Sequence, residues 1–301
     1  MNPFLQELGY DAKDRVLLVH ADDIGMCQAS TSVLSDLFEA GIVRSAATMV
    51  PCPWFLEAAE LCRQNPEFDI GVHLTLNAEW SRYRWGALST RDQASGLLDA
   101  QGFLHSSTAA THEQADPQAV AREIEAQFEA ALRAGIEPTH IDSHMGTLYD
   151  KRFFDSYVAL AQRNKLPLMS FSEAASLRLR EQGVGLYLDN DFLRPYWQAM
   201  EAAHMPLFDA MYMLPLDHPN DHVGIFKQIV DHLEPGLTIL IVHPAHDTPE
   251  LRAITPGWAS RVANYQACVS SELRSYIERA GVQLIGYRPL REHMRQKAAA
   301  R

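Results

Sequence analysis

Short apolar runs alternate with amphipathic stretches along most of the chain. The apolar runs predict strands at Arg15–Ala21, Ala46–Val50, Ile70–Leu74, Thr139–Ser143, Leu166–Ser170, Thr238–His243 and Val282–Tyr287. Between them, apolar residues at helical spacing predict helices at Gln28–Ala40, Trp54–Gln64, Pro117–Ala134, Arg152–Asn164, Gly224–His232 and Ser270–Ala280. Such alternation is typical of a parallel sheet with helices on its outer side.

Ionisable residues stand at the ends of several of these strands, which is where a (β/α) barrel carries its active site. We therefore predict an α/β fold: a TIM-like (β/α) barrel of seven or eight parallel strands, complete or incomplete, with helices outside. The rival fold is an open doubly wound sheet, but the turn after the first strand is Asp22-Asp23-Ile24-Gly25-Met26. That turn places negative charge where a bound phosphate would lie.

The chain is predicted to form a single domain over residues 1–301. Two long polar and aromatic segments, 78–111 and 189–219, are predicted to be loop insertions. They are expected to cover the active site at the ends of the strands.

Composition narrows the class of partner. Of the 301 residues, 47% are hydrophobic, so a full core can form. The net charge of −12, without a Lys/Arg run, argues against nucleic acid and against an anionic membrane as partners. Four cysteines without a C-x-x-C pair, no apolar stretch of about 18 residues and no signal-peptide pattern predict a cytoplasmic protein with free thiols. Cys27, four residues after Asp23, is interpreted as a packing residue.

The candidate chemistry begins with the pair Asp22-Asp23, which ends the first strand. His73 ends the third strand, and His144 follows the fourth. One carboxylate and two imidazoles form a facial set for a metal ion with positions left open, and the second aspartate is available as a base. The alternative for Asp23 is an N-cap of the helix near Gln28.

Three ionisable residues, His140, Asp142 and His144, alternate along the fourth strand and so share one face. Asp142 is placed to hold the second ring nitrogen of a ligand histidine. His140, further back along the strand, is interpreted as structural. Gly71, two residues before His73, predicts a close backbone approach at that position.

A further histidine, His243, ends the strongest strand and is placed to donate a proton or to polarise a carbonyl group. His246 and Asp247 lie on the loop that follows and are predicted to contact substrate. Arg261 is a candidate for steering substrate or for pairing with an aspartate.

Taken together, these motifs resemble the YdjC-like carbohydrate deacetylase family, which includes chitooligosaccharide deacetylases and is related to polysaccharide deacetylases. The resemblance is carried, in family order, by Ala21-Asp22-Asp23-Ile24-Gly25, Gly71-Val72-His73-Leu74-Thr75-Leu76, Thr139-His140-Ile141-Asp142-Ser143-His144, His243-Pro244 and Arg261. It implies a (β/α) barrel with Asp23, His73 and His144 as metal ligands, Asp22 as base and His243 as a further site residue. The chain departs from the family pattern at Ile24-Gly25-Met26, Met145-Gly146-Thr147 and Ala245, which leaves the metal set intact.

The resemblance implies a metal-dependent hydrolase that removes acetyl from an N-acetylated sugar or oligosaccharide, with Asp22 as base toward a metal-bound water. The expected cofactor is one divalent ion, Mg or Zn first, although Mn, Co and Ni also suit an aspartate with two histidines. The expected partner is a small carbohydrate, and a homodimer is left open. Two alternatives remain: hydrolysis of another amide or of a phosphoester on the same site, and a non-catalytic sugar-binding protein.

Overall fold

Seven parallel strands form the centre of this computed structural model, which describes residues 2–181 and 188–300. The strands are β1 (Arg15–Ile24), β2 (Ser45–Thr48), β3 (Ile70–Leu74), β4 (Ile141–Ser143), β5 (Ala210–Met213), β6 (Gly236–Val242) and β7 (Gln283–Leu284). The helices assigned within those two ranges are α1 (Pro3–Glu7), α2 (Gln28–Thr31), α3 (Leu34–Ala40), α4 (Phe55–Gln64), α5 (Thr108–Gln114), α6 (Pro117–Arg133), α7 (Phe154–Asn164), α8 (Glu173–Glu181), α9 (Asn190–Ala202), α10 (His222–Asp231), α11 (Pro249–Ile254), α12 (Trp258–Cys268), α13 (Ser271–Arg279) and α14 (Tyr287–Ala299).

The longest strand, β1, lies in the middle of the sheet, whose order is β4-β3-β2-β1-β6-β5, and β7 pairs with the first part of β1. Residues Val16–Ala21 are buried on both faces, as expected of a parallel strand with helices outside it. β1 and β6 stay in register from the pair Arg15 and Gly236 to the pair Ala21 and Val242. The carboxyl ends of both strands therefore reach the same edge.

The two ends of this strand path are joined by the chain segment around Leu168–Phe171. Leu168 forms an isolated parallel bridge with Ile141 of β4, and Phe171 forms one with Phe208, just before β5. The backbone N–H of Phe208 also donates to the carbonyl of Ser170 at 2.9 Å. The sheet thus curves into a barrel whose last position is held by bridges, not by a full strand.

The predicted fold class, a TIM-like (β/α) barrel with helices outside, is confirmed, and of the two forms left open the structure has the incomplete one. Three local predictions need correction. The predicted strand Leu166–Ser170 is reduced to the isolated bridges, and the predicted helix Gln28–Ala40 is divided into α2 and α3. The predicted loop 189–219 contains α9 and β5, so it is part of the barrel framework.

None of the helices within residues 2–181 and 188–300 is both long enough and apolar enough to cross a membrane. All four cysteines are free. Burial raises the pKa of the Cys27 thiol, which is the behaviour of a packing residue and not of an activated nucleophile.

The close backbone approach predicted at Gly71 is present, but its neighbour is His140. A Cβ atom at Gly71 would lie 2.3 Å from His140 Nε2. The His140 ring cannot easily retreat, because it stacks on Tyr287 with centroids 3.8 Å apart and meets His20 edge-on at 4.9 Å. Gly71 therefore makes room for a histidine inside the barrel.

Gly71→Ala is expected to destabilise the protein by about 1–3 kcal/mol, the usual cost of overpacking a filled core. The measurement is the free energy of unfolding in urea. In a double-mutant cycle, His140→Ala should remove much of this penalty, because it removes the atoms that the new methyl group meets. Equal stability of Gly71→Ala and the parent protein would contradict this account.

Candidate active site

Two successive carboxylates face the same space at the end of β1. A regular strand would direct Asp22 and Asp23 to opposite faces, but the register between β1 and β2 shifts between Ala21 and Ile24. Asp23 also takes a left-handed backbone conformation, with φ 64°. As a result, Asp22 Oδ2 and Asp23 Oδ1 lie 3.9 Å and 3.6 Å from His73 Nε2. The N-cap alternative for Asp23 is wrong, because the N-cap of α2 is Cys27.

Three possible ligand atoms converge beside this pair. Asp23 Oδ1 lies 3.6 Å from His73 Nε2 and 3.3 Å from His144 Nδ1, and the two ring nitrogens are 3.3 Å apart. Ligands about 2.1 Å from a tetrahedral ion are about 3.4 Å apart, so the spacing suits a divalent ion. Asp23 Oδ1 is buried and makes no hydrogen bond to any residue in the described part of the chain. An unsatisfied carboxylate oxygen that faces two imidazoles fits a cation.

Each of the two histidines is held from behind by a carboxylate. His73 Nδ1 lies 2.7 Å from Asp142 Oδ1, and the two residues are register partners on β3 and β4. His144 Nε2 lies 3.1 Å from Glu79 Oε2. Burial lowers the pKa of His144, but the neighbouring carboxylates of Glu79 and Asp23 outweigh burial and raise it to about 10. The negative charges of Glu79 and Asp23 therefore favour a positive charge at this position.

Arg261 holds the third possible ligand, Asp23. Its guanidinium group is buried and its Nη1 donates to Asp23 Oδ2 at 2.8 Å. Burial raises the pKa of Asp23, but Arg261 and then His144 outweigh burial and keep it well below its usual range. Asp23 is therefore a carboxylate near neutral pH. Two roles were considered for Arg261, steering substrate and pairing with an aspartate. The structure shows the second, with Asp23 as the aspartate.

A buried histidine that the sequence did not single out, His20, lies behind Asp22. Its Nε2 forms a hydrogen bond with Asp142 Oδ2 at 2.8 Å and lies 3.1 Å from Asp22 Oδ1, and its Nδ1 lies 3.1 Å from Ser45 Oγ. Burial lowers the pKa of His20, but the contacts with Asp142 and Asp22 outweigh it and raise the pKa to about 10. His20 is therefore an imidazolium between two carboxylates.

His243 approaches the other side of Asp22. Its Nε2 lies 3.8 Å from Asp22 Oδ2, and its backbone N–H donates to Asn264 Oδ1 at 2.9 Å. Burial lowers the pKa of His243 to about 4, although the charges of Asp23 and Asp22 act in the opposite direction. The ring is therefore neutral near pH 7.

Two sequence candidates, and His140, which was interpreted as structural, have their observed contacts elsewhere. His140 is deeper in the barrel, where its Nδ1 contacts Thr139 Oγ1 at 2.9 Å. His246 points to α2 and α3: its Nδ1 lies 2.8 Å from Ser32 Oγ, and its Nε2 lies 3.4 Å from Asp36 Oδ2. The exposed Asp247 pairs with Arg252. The observed contacts of His246 and Asp247 are with α2, α3 and Arg252, and their predicted contact with substrate stays a prediction.

Glu79 and Trp80, at the start of the long segment 78–111, are the site residues that sequence reasoning missed individually. Trp80 is half-buried, and its ring centroid lies 5.8 Å from the Arg261 guanidinium carbon. The same segment is tied to the turn after β1 by Tyr83, whose hydroxyl donates to the carbonyl of Met26 at 2.8 Å. Only their position directly after β3 could have indicated them, because neither residue ends an apolar run.

A buried carboxylate next to a group of residues that could hold a cation is an arrangement suited to hydrolysis, because the base can take a proton from water while a cation stabilises negative charge. The comparisons with known proteins agree with such chemistry. Residues 16–279 match the family model described as YdjC-like protein. A carbohydrate deacetylase of Thermus thermophilus is 31% identical over 273 residues, covering 90% of this chain and 92% of that protein.

Further similarity extends to oligosaccharide enzymes and to a solved structure. A chitooligosaccharide deacetylase of Yersinia pseudotuberculosis is 28% identical over 281 residues, covering 90% of this chain and 97% of its own. A crystal structure from Enterococcus faecalis, described as a proposed cellobiose-phosphate cleavage protein, superposes with a TM-score of 0.76 at 25% identity and covers 92% of this chain and 99% of that one. From the extent of the family match and the identity to the Thermus protein, the chain belongs to the YdjC-like protein family.

Proposed function

We propose that this protein is a metal-dependent carbohydrate deacetylase that hydrolyses the acetamide of an N-acetylated sugar or oligosaccharide. The observation that carries the proposal is the convergence of Asp23, His73 and His144 directly beside a second buried carboxylate, Asp22. The names of the relatives, carbohydrate deacetylase and chitooligosaccharide deacetylase, support the same substrate class.

Asp23 Oδ1, His73 Nε2 and His144 Nδ1 are the proposed metal ligands. When bound there, a divalent ion supplies Lewis-acid polarisation of a carbonyl group and activation of water. Two imidazoles with one carboxylate favour Zn or a similar transition ion, and Mg is the main alternative. Mn, Co and Ni are compatible with the same donors.

Asp22 is the proposed general base. Its Oδ2 faces the site, between His73 Nε2 at 3.9 Å and His243 Nε2 at 3.8 Å, so it can accept a proton from an attacking water molecule. Attack forms a bond from the water oxygen to the acetyl carbon. When the C–N bond breaks, the amine nitrogen must gain a proton.

His243 is the proposed donor of that proton, and its low pKa limits how it can act. Because the resting ring is neutral near pH 7, it must be protonated before it can donate as an imidazolium. Asp22 is the group positioned to supply that proton after taking it from water, since 3.8 Å separates Asp22 Oδ2 from His243 Nε2. The water proton would thus pass through both residues to the leaving amine.

Apolar side chains near the mouth of the site suit the C–H faces of a sugar ring. Trp80 is half-buried above Arg261, and Met145, directly after His144, is 48% exposed. Exposed apolar groups around a polar centre are typical of ligand-binding grooves. We propose that the start of segment 78–111 contributes the sugar-binding wall.

The proposed function is tested by acetate release from N-acetylated mono- and oligosaccharides, first with metal-stripped protein and then after addition of Mg, Mn, Zn, Co or Ni. A phosphorylated N-acetylated disaccharide belongs in the panel because of the name of the Enterococcus structure. We expect acetate only in the presence of metal. Phosphate release without acetate would favour the phosphoesterase alternative, and sugar binding without turnover by metal-loaded protein would favour a non-catalytic sugar-binding protein.

Glu79→Gln is expected to weaken metal affinity by about 10- to 100-fold, the usual effect of losing a partner behind a ligand histidine. The carboxylate contacts His144 Nε2 at 3.1 Å and makes the opposite nitrogen a better donor. The measurement is competition with a chromophoric chelator. The matched control is Glu57→Gln, which neutralises a carboxylate of the same type in the first turn of α4. This variant should bind metal with the affinity of the parent protein. Parent-like affinity in Glu79→Gln would show that this contact does not orient His144.

A further inference from the structure

The two oxygens of the proposed base, Asp22, have different surroundings. Oδ2 faces His73 and His243 across the reacting space, at 3.9 Å and 3.8 Å. Oδ1 points the other way, into the barrel, and lies 3.1 Å from His20 Nε2. A carboxylate that is gripped through one oxygen presents the other in a fixed direction. Oδ1 is buried and forms no hydrogen bond to any described residue, so its ion pair with His20 at 3.1 Å is the contact that can provide this grip.

His20 is itself held by contacts on several sides. Its ring is fully buried, with Nδ1 against Ser45 Oγ at 3.1 Å and Nε2 against Asp142 Oδ2 at 2.8 Å. The ring of Tyr287 meets it edge-on, with centroids 5.7 Å apart. A side chain fixed on three sides has little rotational freedom to lose, so it can orient a neighbour at low entropic cost.

We infer that His20 is a positioning residue of the hydrolytic reaction: it clamps Asp22 through Oδ1 and so aims Oδ2 at the attacking water. The inference rests on the proposed function, in which Asp22 is the base. It extends that function into the barrel interior, to a residue that does not touch the substrate.

Asp142 links His20 to the proposed metal ligands. Its Oδ1 holds His73 and its Oδ2 holds His20, so one carboxylate orients both a proposed metal ligand and the clamp of the base. A rival explanation follows, in which His20 acts on the metal through Asp142 and not on Asp22. The two explanations differ in what they predict for metal affinity.

The test compares His20→Leu, which has no donor, with His20→Gln, whose amide has two N–H groups that can reach both carboxylates. His140→Gln is the matched control, because His140 is equally buried, just before β4, but in the described part of the chain it pairs with Asp142 at 3.9 Å and not with Asp22. We expect kcat of His20→Leu to fall about 10- to 100-fold, the range for partners that orient active-site groups. KM and metal affinity should stay close to those of the parent. His20→Gln should regain most of the lost kcat, and His140→Gln should keep parent kcat.

A parallel loss of kcat and metal affinity in His20→Leu would overturn the inference in favour of the route through Asp142. Failure of His20→Gln to restore kcat, or an equal loss in His140→Gln, would reduce His20 to a structural residue. If His20→Leu does not fold, His20→Met provides a more adaptable variant without a donor.

Crystal structures of the metal-loaded variants add a readout that needs no turnover. The Asp22 side chain should rotate or spread over several conformations in His20→Leu and keep one conformation in His20→Gln and His140→Gln. An unmoved Asp22 in His20→Leu would overturn the inference. If the parent protein released no acetate from any sugar, the proposed function would fail, but these structures would still show whether His20 orients Asp22.

Discussion

Asp22→Asn is expected to lower kcat for acetate release by about 10²- to 10⁴-fold, the usual contribution of a positioned general base. The amide keeps the shape of the side chain, and its oxygen can still face His20, but it cannot accept a proton from water. Metal affinity should be unchanged, because the proposed ligands are Asp23, His73 and His144. The measurements are kcat on the best substrate of the panel and a chelator competition on the same preparation.

The control for this variant is Asp14→Asn, which makes the same chemical change just before the opposite end of β1. It should keep parent kcat. Full activity in Asp22→Asn would remove Asp22 as the base. Loss of metal together with activity would instead make Asp22 a ligand, in line with the alternative grouping of Asp22, His73 and Asp142 around a cation.

His73→Ala is expected to abolish metal binding at concentrations that saturate the parent. It removes one of three ligands, so the affinity should fall by more than about 100-fold, the upper end of the range for losing an outer partner. The parent should gain about 2.7 kcal/mol in the free energy of unfolding at a free metal concentration about 100 times its Kd. His73→Ala should show no such metal-dependent increment, whatever its stability without metal.

His232→Ala removes an exposed histidine at the end of α10 and is the matched control, which should keep the full metal-dependent increment. The metal-dependent gain in the free energy of unfolding reports metal binding alone, whereas the absolute free energy also includes the packing lost with the His73 ring. This separation matters because loss of the His73 ring also leaves Asp142 Oδ1 without its partner at 2.7 Å. Retention of parent metal affinity in His73→Ala would exclude His73 as a ligand.

Most of the candidate site residues that the sequence indicated end apolar runs. Asp22, Asp23, His73 and His243 each interrupt or close a buried strand, where an ionisable side chain is conspicuous. Because parallel strands place their carboxyl ends at one edge of a barrel, such residues can be brought together without knowledge of the intervening chain.

The residues that the sequence did not reveal lack this signal for two different reasons. Glu79 lies in an irregular segment, and its role depends on how that segment returns to His144, which no periodicity encodes. His20 lies inside the apolar run of β1, where a histidine resembles a core residue, and only the neighbouring strands show that it faces two carboxylates. The close approach at Gly71 was predictable, but its partner His140 was not, because that contact crosses from β3 to the chain leading into β4.

Residues 189–219 were predicted to be a loop because α9 and β5 also lack a clear sequence signal. Helix α9 contains Pro195 in its interior, where proline normally ends a helix because it lacks an N–H group and crowds the preceding turn. Strand β5 is only four residues long and partly exposed, so it gives no clear apolar run. Both elements are held by the barrel around them more than by their own sequence.

The left-handed backbone at Asp23 bears on any attempt to make this protein more heat-resistant. Non-glycine residues are strained in that conformation, so a design procedure that scores backbone geometry alone would choose glycine at position 23. That choice would delete a proposed metal ligand and leave the buried guanidinium of Arg261 without the carboxylate it contacts at 2.8 Å. A library of variants designed for higher thermal stability should therefore keep Asp23 unchanged and place its substitutions on the outer helices.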